Sequence, residues 1–249
     1  MVKHENFKTC SQSGFCQRNR QYADNAAAQA SSWTSPFHIE AGSLTFLDGQ
    51  LLGTVIKTVG NDEKVRFPLV VSFLESGVAR ITIDEERRMK GDIKLRRDST
   101  VRKERYNEAA KWAITGEMKR SSSAEFTTDE TSRITKVQYG PDMKFEAVIK
   151  HSPFEVYFQR DGQTQVQLNS KGLLNIEEWR PRNDIIEPGS ESTPDAVDDS
   201  TWWDESFGGN TDSKPRGPES VALDINFPGY EHVFGIPEHA DSMSLKQTR

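Results

Sequence analysis

Two cysteines near the N-terminus are the first residues whose types and spacing could do chemistry. Cys10 and Cys16 enclose a polar loop of five residues that contains a glycine, so the chain can bend back on itself there. A disulfide in this loop would indicate an oxidising compartment and, in the chain-entropy model, would contribute about 2 kcal/mol. The alternative is a pair of reduced thiols in a cytosolic protein, and the spacing alone leaves both interpretations open. A zinc site is not predicted, because this spacing is unusual for a zinc-binding pair.

Two histidines near the C-terminus form the second chemically capable group. His232 and His239 each follow a glutamate, and imidazoles beside carboxylates could bind a metal ion. A turn made rigid by Pro237 is the simpler interpretation, so we predict neither a metal nor a cofactor. The sequence also has no glycine-rich phosphate loop, no His-x-x-x-His pair and no Gly-x-Ser-x-Gly motif. The residues alone therefore predict a module without a visible active site.

The elements that must position these residues are predicted to be mostly short β-strands. Asp48-Gly49 and Ser76-Gly77 each separate two apolar-rich runs, which is a strong signal of a β-hairpin. The predicted strands cover residues 43–47, 50–58, 65–75, 78–84, 112–118, 133–139, 144–151, 154–159 and 163–168, and short helices are predicted over residues 20–30 and 101–111. Many short strands with regular turn signals predict an all-β protein built as an antiparallel β-sandwich.

Two charged segments interrupt this pattern. Residues 85–105 are rich in Lys and Arg, but they also contain acids and no aromatic residue. We therefore expect a solvated loop there rather than a phosphate- or nucleic-acid-binding patch. Residues 184–205 hold eight acidic and no basic residues together with Pro, Gly and Ser, which predicts a disordered surface insertion. An alternating apolar pattern resumes at Ser220 and predicts one more strand of the same sandwich.

Composition limits the possible classes of protein. Of the 249 residues 34% are hydrophobic and 28% are charged, which permits a packed core if part of the chain is polar linker. The net charge of −6 argues against a nucleic-acid partner, since a nucleic-acid-binding face needs a surplus of Lys and Arg. No apolar run approaches the roughly 20 residues of a membrane span, so no membrane partner is predicted. The first residues lack the apolar segment of a signal peptide, which leaves the compartment open.

Sequence motifs at the two ends of the chain are far more specific than its composition. Residues 229–241 read GYEHVFGIPEHAD, and they are preceded by WDESF at 203–207, DSKPRGP at 212–218 and SVALD at 220–224. The start of the chain, residues 6–18, reads NFKTCSQSGFCQR. Together these stretches resemble an endoplasmic-reticulum α-glucosidase of glycoside hydrolase family 31, in which residues 229–241 correspond to the end of an N-terminal sandwich. Between about residues 23 and 183 the resemblance is diffuse.

The resemblance implies an enzyme that trims α-1,3-linked glucose from N-linked glycans during glycoprotein quality control. Its retaining mechanism would use two carboxyl groups about 5–5.5 Å apart. In this family both are aspartates on a (β/α)8 barrel that follows the sandwich and needs roughly 250 residues of its own. No acid of this sequence matches a catalytic position, so we expect the chain to be the non-catalytic N-terminal fragment of that hydrolase and to be inactive alone. The lumenal location that the family implies favours the Cys10–Cys16 disulfide.

The resemblance also suggests a division of the chain and a candidate site. Residues 1–32 are an N-terminal extension with the disulfide loop, 33–183 the sandwich, 184–218 the acidic insertion, and 219–249 a return strand and a turn leading toward the barrel. In that turn, Gly235, Pro237, Glu238 and His239 are candidates for one wall of the sugar site. No catalytic residue is assigned.

The partners that follow are a separate polypeptide with the catalytic part, a lectin-like regulatory β subunit, and the glucosylated N-glycan substrate. The separate polypeptide is a hypothesis prompted by Arg249, which ends a polar run with a trypsin-type terminus. The alternative function is a free-standing carbohydrate-binding or interaction sandwich with no hydrolase partner, since sandwiches serve many functions.

Overall fold

The computed structural model describes residues 7–60, 63–84, 116–178, 203–214, 217–218, 220–235 and 244–245. The chain divides into two compact units. The helix unit combines Met1–Trp33 with Leu173–Leu223, and the sandwich unit combines Thr34–Gly172 with Asp224–Arg249. The described residues contain no helix with both the length and the apolar character of a membrane span.

The first sheet of the sandwich unit has five antiparallel strands. They are β1 (Phe37–Ile39), β2 (Thr45–Leu47), β3 (Gln50–Val59), β4 (Glu63–Phe73) and β5 (Ala79–Ile83), in the order β1-β3-β4-β5 with β2 also paired to β3. The turn between β2 and β3 is Asp48-Gly49, and both residues have positive φ, 50° and 66°. Positive φ at both central residues matches the right-handed twist of a hairpin, which explains why this dipeptide was a correct hairpin signal.

The second sheet is a meander closed by one strand from the end of the chain. Its members are β6 (Glu125–Asp129), β7 (Ile134–Tyr139), β8 (Phe145–Lys150), β9 (Glu155–Arg160), β10 (Gln163–Leu168) and β15 (Ile225–Asn226), in the order β15-β10-β9-β8-β7-β6. All neighbouring strands are antiparallel. Short polar turns join these strands, so each pair needs little chain to close.

The core lies between the two sheets. Phe73 of β4 and Tyr139 of β7 are both buried, and their ring centroids are 4.8 Å apart. Phe46 of β2 stacks on Phe126 of β6 with a centroid distance of 5.5 Å. Other buried apolar side chains alternate along the strands, among them Leu51, Val55, Phe67, Leu69, Val71, Val137, Ala147, Ile149 and Val156. Two antiparallel sheets packed face to face confirm the predicted all-β sandwich.

One turn of the sandwich requires glycine for steric reasons. Gly77, in the turn between β4 and β5, has φ of +85°, and an added Cβ atom would lie 2.4 Å from the Phe145 ring. A side chain at residue 77 would therefore displace Phe145 as well as strain the backbone. This contact fixes the turn against the start of β8.

In its described residues, the helix unit contains one α-helix and two small antiparallel strand pairs. Helix α1 is Gly14–Ala28, and it follows a short 3-10 turn over Cys10–Gln12. Strand β11 (Asn175–Ile176) pairs with β14 (Val221–Ala222), and β12 (Asp204–Phe207) pairs with β13 (Asn210–Ser213). Tyr22 of α1 packs edge-on against Trp33, with ring centroids 5.2 Å apart.

Helix α1 differs from the prediction in its start. It begins at Gly14 rather than at residue 20. Ser13 makes no side-chain cap, but the carboxylate of Glu205 accepts a hydrogen bond from the Gly14 N–H. A carboxylate from a distant part of the chain thus supplies the cap that the local sequence lacks.

Part of the acidic segment also differs from the prediction. Residues 204–213 were expected to be disordered within the insertion at 184–218, yet they form the β12–β13 hairpin around Gly208-Gly209. The strand expected from Ser220 onward is split, because β14 pairs with β11 whereas β15 pairs with β10. Strands β1 and β6 were not predicted. Residues 85–115 and 179–202, which include the basic segment and most of the acidic one, lie outside the described residues.

Candidate functional site

The signature turn at the end of the sandwich unit is described only up to Gly235. The Leu245 N–H donates a 2.8 Å hydrogen bond to the Val233 carbonyl, and Phe234 forms a β-bridge with Ser244. The chain therefore returns to itself over residues 233–245. Gly235 has φ of +139° and is exposed, whereas Pro237, Glu238 and His239 lie outside the described residues.

Large apolar side chains on this part of the sandwich unit face solvent. Ile225 is 53% exposed, Tyr230 is 58% exposed and Phe234 is 64% exposed. Their exposure makes these three residues candidates for contact with another protein surface.

The two cysteines of the helix unit lie close together as free thiols, without the disulfide bond that was one of the two interpretations of the sequence. The Cys10 and Cys16 sulfur atoms are 2.9 Å apart, and neither is bonded to another sulfur. The hydrogen bond with Cys10 is the main reason that the pKa of Cys16 is raised, and burial adds to it. The 3-10 turn at Cys10–Gln12 brings the sulfurs together. The Thr9 N–H supports this turn by donating a 3.0 Å hydrogen bond to the Gln12 side-chain oxygen.

Glu205 connects the first residues of the helix unit with its β12–β13 hairpin. Its carboxylate accepts from the Gly14 N–H at 2.9 Å and pairs with Lys8 at 3.2 Å and Lys214 at 2.7 Å. Burial alone would raise the pKa of Glu205, but the hydrogen bonds from Lys214, Gly14 and Lys8 outweigh burial and lower it to about 2. Because the folded pKa lies below the ordinary value, this cluster stabilises the fold at neutral pH and its contribution is lost as the pH falls toward 2.

Glu177 forms a second buried ion pair in the helix unit. Arg18 Nε donates to Glu177 Oε1 at 2.5 Å, Arg18 Nη2 to Oε2 at 3.3 Å, and the Ser220 N–H to Oε2 at 3.0 Å. The Glu177 side chain is only 6% exposed. Burial opposes the charged form, but Arg18 and Ser220 outweigh it and lower the pKa of Glu177.

These carboxylates bear on what the chain can do chemically. Glu177 and Glu205 have lowered pKa values, and Asp129 does as well because the hydroxyl and N–H of Ser132 donate to it. A glycosidase general acid needs the opposite shift, since it must hold a proton near neutral pH. In the described parts of the chain, every carboxyl group with a shifted pKa is therefore held as an anion, which suits ion pairs and not proton donation.

The sandwich unit also contains a cleft that sequence reasoning missed. It has a volume of about 680 Å³ and is lined by side chains from β1, β4, the β6–β7 turn and the end of β8. His38 and His151 both line it, so we name it the histidine cleft. The Thr135 hydroxyl and the Nε2 atom of His151 share a 2.9 Å hydrogen bond. No local motif could have indicated this cleft, because strand pairing alone brings its residues together.

Comparison with known proteins connects these features to a family. A family model described as the glycosyl hydrolase 31 N-terminal galactose mutarotase-like domain matches residues 68–249. Glucosidase 2 subunit alpha of Schizosaccharomyces pombe is 35% identical over 243 residues, which make up 97% of this chain and 25% of that protein. The chain thus spans about a quarter of the length of this curated relative.

Solved structures match the whole chain. A glucosidase II alpha subunit in complex with Glc1Man2 is 55% identical, with a TM-score of 0.83 over 99% of this chain and 25% of that one. The catalytic subunit in a crystal structure of the ER glucosidase II heterodimer, which includes the binding domain of the regulatory subunit, is 56% identical over 98% of this chain with a TM-score of 0.83. The resemblance seen in the terminal motifs is therefore confirmed along the chain, which belongs to glycosyl hydrolase family 31 as its N-terminal galactose mutarotase-like domain.

Proposed function

We propose that this chain is the non-catalytic N-terminal sandwich of an α-glucosidase that removes α-1,3-linked glucose from N-linked glycans in the endoplasmic reticulum lumen. The observation that carries the proposal is the 55% identity to a glucosidase II alpha subunit over 99% of the chain. The electrostatics agree with a non-catalytic role, because the shifted carboxyl groups of the described residues are all held as anions. Retaining hydrolysis needs one carboxyl group that keeps its proton, and a (β/α)8 barrel would supply it.

The role of the sandwich would be to pack against that barrel. Ile225, Tyr230 and Phe234 offer an exposed apolar surface for this contact. Gly235 follows directly, and Pro237, Glu238 and His239 would continue from it as one wall of the sugar site.

The 249-residue chain alone is expected to hydrolyse no α-glucoside. An aryl α-glucoside assay of the purified chain should give no signal above buffer, since the nucleophile and the general acid that retaining hydrolysis needs are both expected on the barrel. A full-length glucosidase II alpha subunit is the control for assay quality. Turnover by the 249-residue chain that scales with its concentration would place an active site on this chain and contradict the proposal.

The implied partners are tested by co-purification. The heterodimeric relative supports a regulatory β subunit as partner of the enzyme, and the catalytic part as a separate polypeptide stays a prediction. Purification of the protein from its native source, followed by denaturing separation and intact mass measurement, should recover a larger catalytic polypeptide. Recovery of the 249-residue chain by itself would instead favour a free-standing module.

A disulfide between Cys10 and Cys16 is the expected state in an oxidising lumen. The two sulfurs already lie 2.9 Å apart, and a bond length of about 2.05 Å requires only a small approach. Alkylation of the native protein should label neither cysteine, and alkylation after reduction should label both. The Cys16→Ser variant is the control, because its remaining thiol should be labelled without reduction. Two labelled thiols in native protein kept under oxidising conditions would contradict the disulfide.

A further inference from the structure

The histidine cleft carries a charge opposite to that of the whole chain. Its charged side chains are three cations, Lys64, Arg66 and Arg133, and two carboxylates, Glu40 and Glu130. The local charge is therefore about +1 with both histidines neutral and about +3 with both protonated, whereas the whole chain carries −6. A positive cleft on an acidic protein selects anions from solution.

Two of the three cations are available to a ligand. Arg66 forms an ion pair with Glu40, so that pair is internally neutralised. Within the described residues, Lys64 and Arg133 form no ion pair. Both cations line the same cavity as His38, and both help to lower the pKa of its imidazole. The structure thus brings two unneutralised cations and a titratable imidazole to one cavity.

The histidines add a dependence on pH. Burial is the main reason that the pKa of His38 is lowered, and Lys64 and Arg133 add to this effect. A hydrogen bond to the Pro36 backbone and the charge of Glu40 oppose it. Burial likewise lowers the pKa of His151, with Arg133 adding to the effect and Glu130 opposing it. A bound anion would offset the cations and favour the protonated imidazoles. Binding would then take up protons and become tighter as the pH falls.

The size and apolar wall of the cleft indicate more than an inorganic ion. A volume of about 680 Å³ is within the range of small-molecule sites. Leu44, Ile56 and Phe126 line the same cavity and provide an apolar surface. Lys, Arg and protonated His present only donors, which match the acceptor oxygens of a phosphate group.

We propose that the histidine cleft binds a small organic phosphate, with the phosphate group held by Lys64, Arg133 and the two histidines. The organic part of the ligand lies against Leu44 and Phe126. This site is separate from the proposed glycosidase function and does not depend on it.

The proposal is tested by calorimetric titration of the full 249-residue chain with glucose 6-phosphate, inorganic phosphate and glucose. Glucose 6-phosphate should bind, inorganic phosphate should bind more weakly, and glucose should not bind. The affinity for glucose 6-phosphate should be higher at about pH 6 than at about pH 7.5, by up to about tenfold per pH unit for each proton taken up. In NMR spectra recorded at constant pH, the imidazole signals of His38 and His151 should shift when glucose 6-phosphate is added, and those of the exposed His232 should not.

Matched variants decide whether the cleft is responsible. Arg133→Gln should weaken the binding of glucose 6-phosphate about tenfold or more, because it removes one charged donor. Arg160→Gln is the control, since Arg160 belongs to the same sheet, is 63% exposed and does not line the cleft. Equal weakening by both variants, equal binding of glucose, or no binding of glucose 6-phosphate at millimolar concentration would each overturn the proposal.

Discussion

Replacing Arg18 with methionine is expected to lower the free energy of unfolding of the helix unit by about 3–5 kcal/mol. Methionine keeps most of the aliphatic stem but removes the guanidinium that pairs with the Glu177 carboxylate, which is 6% exposed. The Ser220 N–H and hydroxyl also donate to that carboxylate. Removal of one partner of a buried ion pair is one of the few single changes with an effect of this size.

Hydrogen exchange of the α1 amides measures the loss of stability in the helix unit itself. Exchange of peptides from Gly14–Ala28 should become at least about a hundredfold faster at neutral pH, since about 1.4 kcal/mol corresponds to a factor of ten. The stability deficit of the variant should narrow as the pH falls to about 4, because the variant protonates its buried carboxyl group there, whereas the lowered pKa of wild-type Glu177 keeps its ion pair until lower pH. Arg160→Met, at an exposed site, should leave the same amides unchanged. If the α1 amides of Arg18→Met exchange at the wild-type rate, the Arg18–Glu177 pair contributes nothing to the stability of the helix unit.

The second large effect is expected from Phe73→Ala in the sandwich unit. Phe73 is fully buried on β4, with ring centroids of Tyr139 at 4.8 Å and Phe46 at 6.3 Å. Truncation to alanine leaves a cavity between the two sheets and should cost about 3–5 kcal/mol, whereas Phe73→Leu should cost less than half of that.

Denaturant unfolding, followed by the β-sheet signal in circular dichroism, tests this prediction. Val78→Ala is the control, because Val78 lies in the neighbouring turn and is 54% exposed, so its change should stay within about 0.5 kcal/mol. If the denaturant midpoint of Phe73→Ala is close to that of Val78→Ala, the packing of the two sheets does not depend on the Phe73 ring for its stability.

Local sequence signals were sufficient for most of the sandwich. Period-two patterns and paired turn residues predicted β3, β4, β5 and the β7–β10 meander close to their observed bounds. Strand β1 was not predicted because it has only three residues and its position is set by pairing with β3. Strand β6 was missed because alternation in Glu125–Asp129 involves a single apolar side chain, Phe126.

Long-range contacts explain what the sequence did not predict in the helix unit. The composition of residues 184–205 indicated disorder, and that criterion ignores contacts that come from elsewhere in the chain. Glu205 is ordered by Lys8 and Gly14, which are about 190 positions away. The Gly208-Gly209 pair was a hairpin signal that the acidic composition obscured.

The candidate sites show the same limit. The specific terminal motifs were enough to predict the family, whereas the spacing of Cys10 and Cys16 left a disulfide and a pair of reduced thiols both open. The histidine cleft was not predictable, because His38, Lys64, Arg133 and His151 occupy four separate places in the sequence. The registers of β1 and β4 on β3 and of β7 on β8 bring those places to one cavity.

The Arg18–Glu177 pair also sets an order of events during synthesis. Helix α1 leaves the ribosome first, but its buried partner follows 159 residues later. At about 5–20 residues per second, roughly 8–30 s pass before Glu177 exists to receive Arg18. An isolated helix of 15 residues is only marginally stable in water, so α1 has little helical stability of its own during that interval. The helix unit is therefore completed after the β3–β10 part of the sandwich has been made, although α1 precedes that part in the sequence.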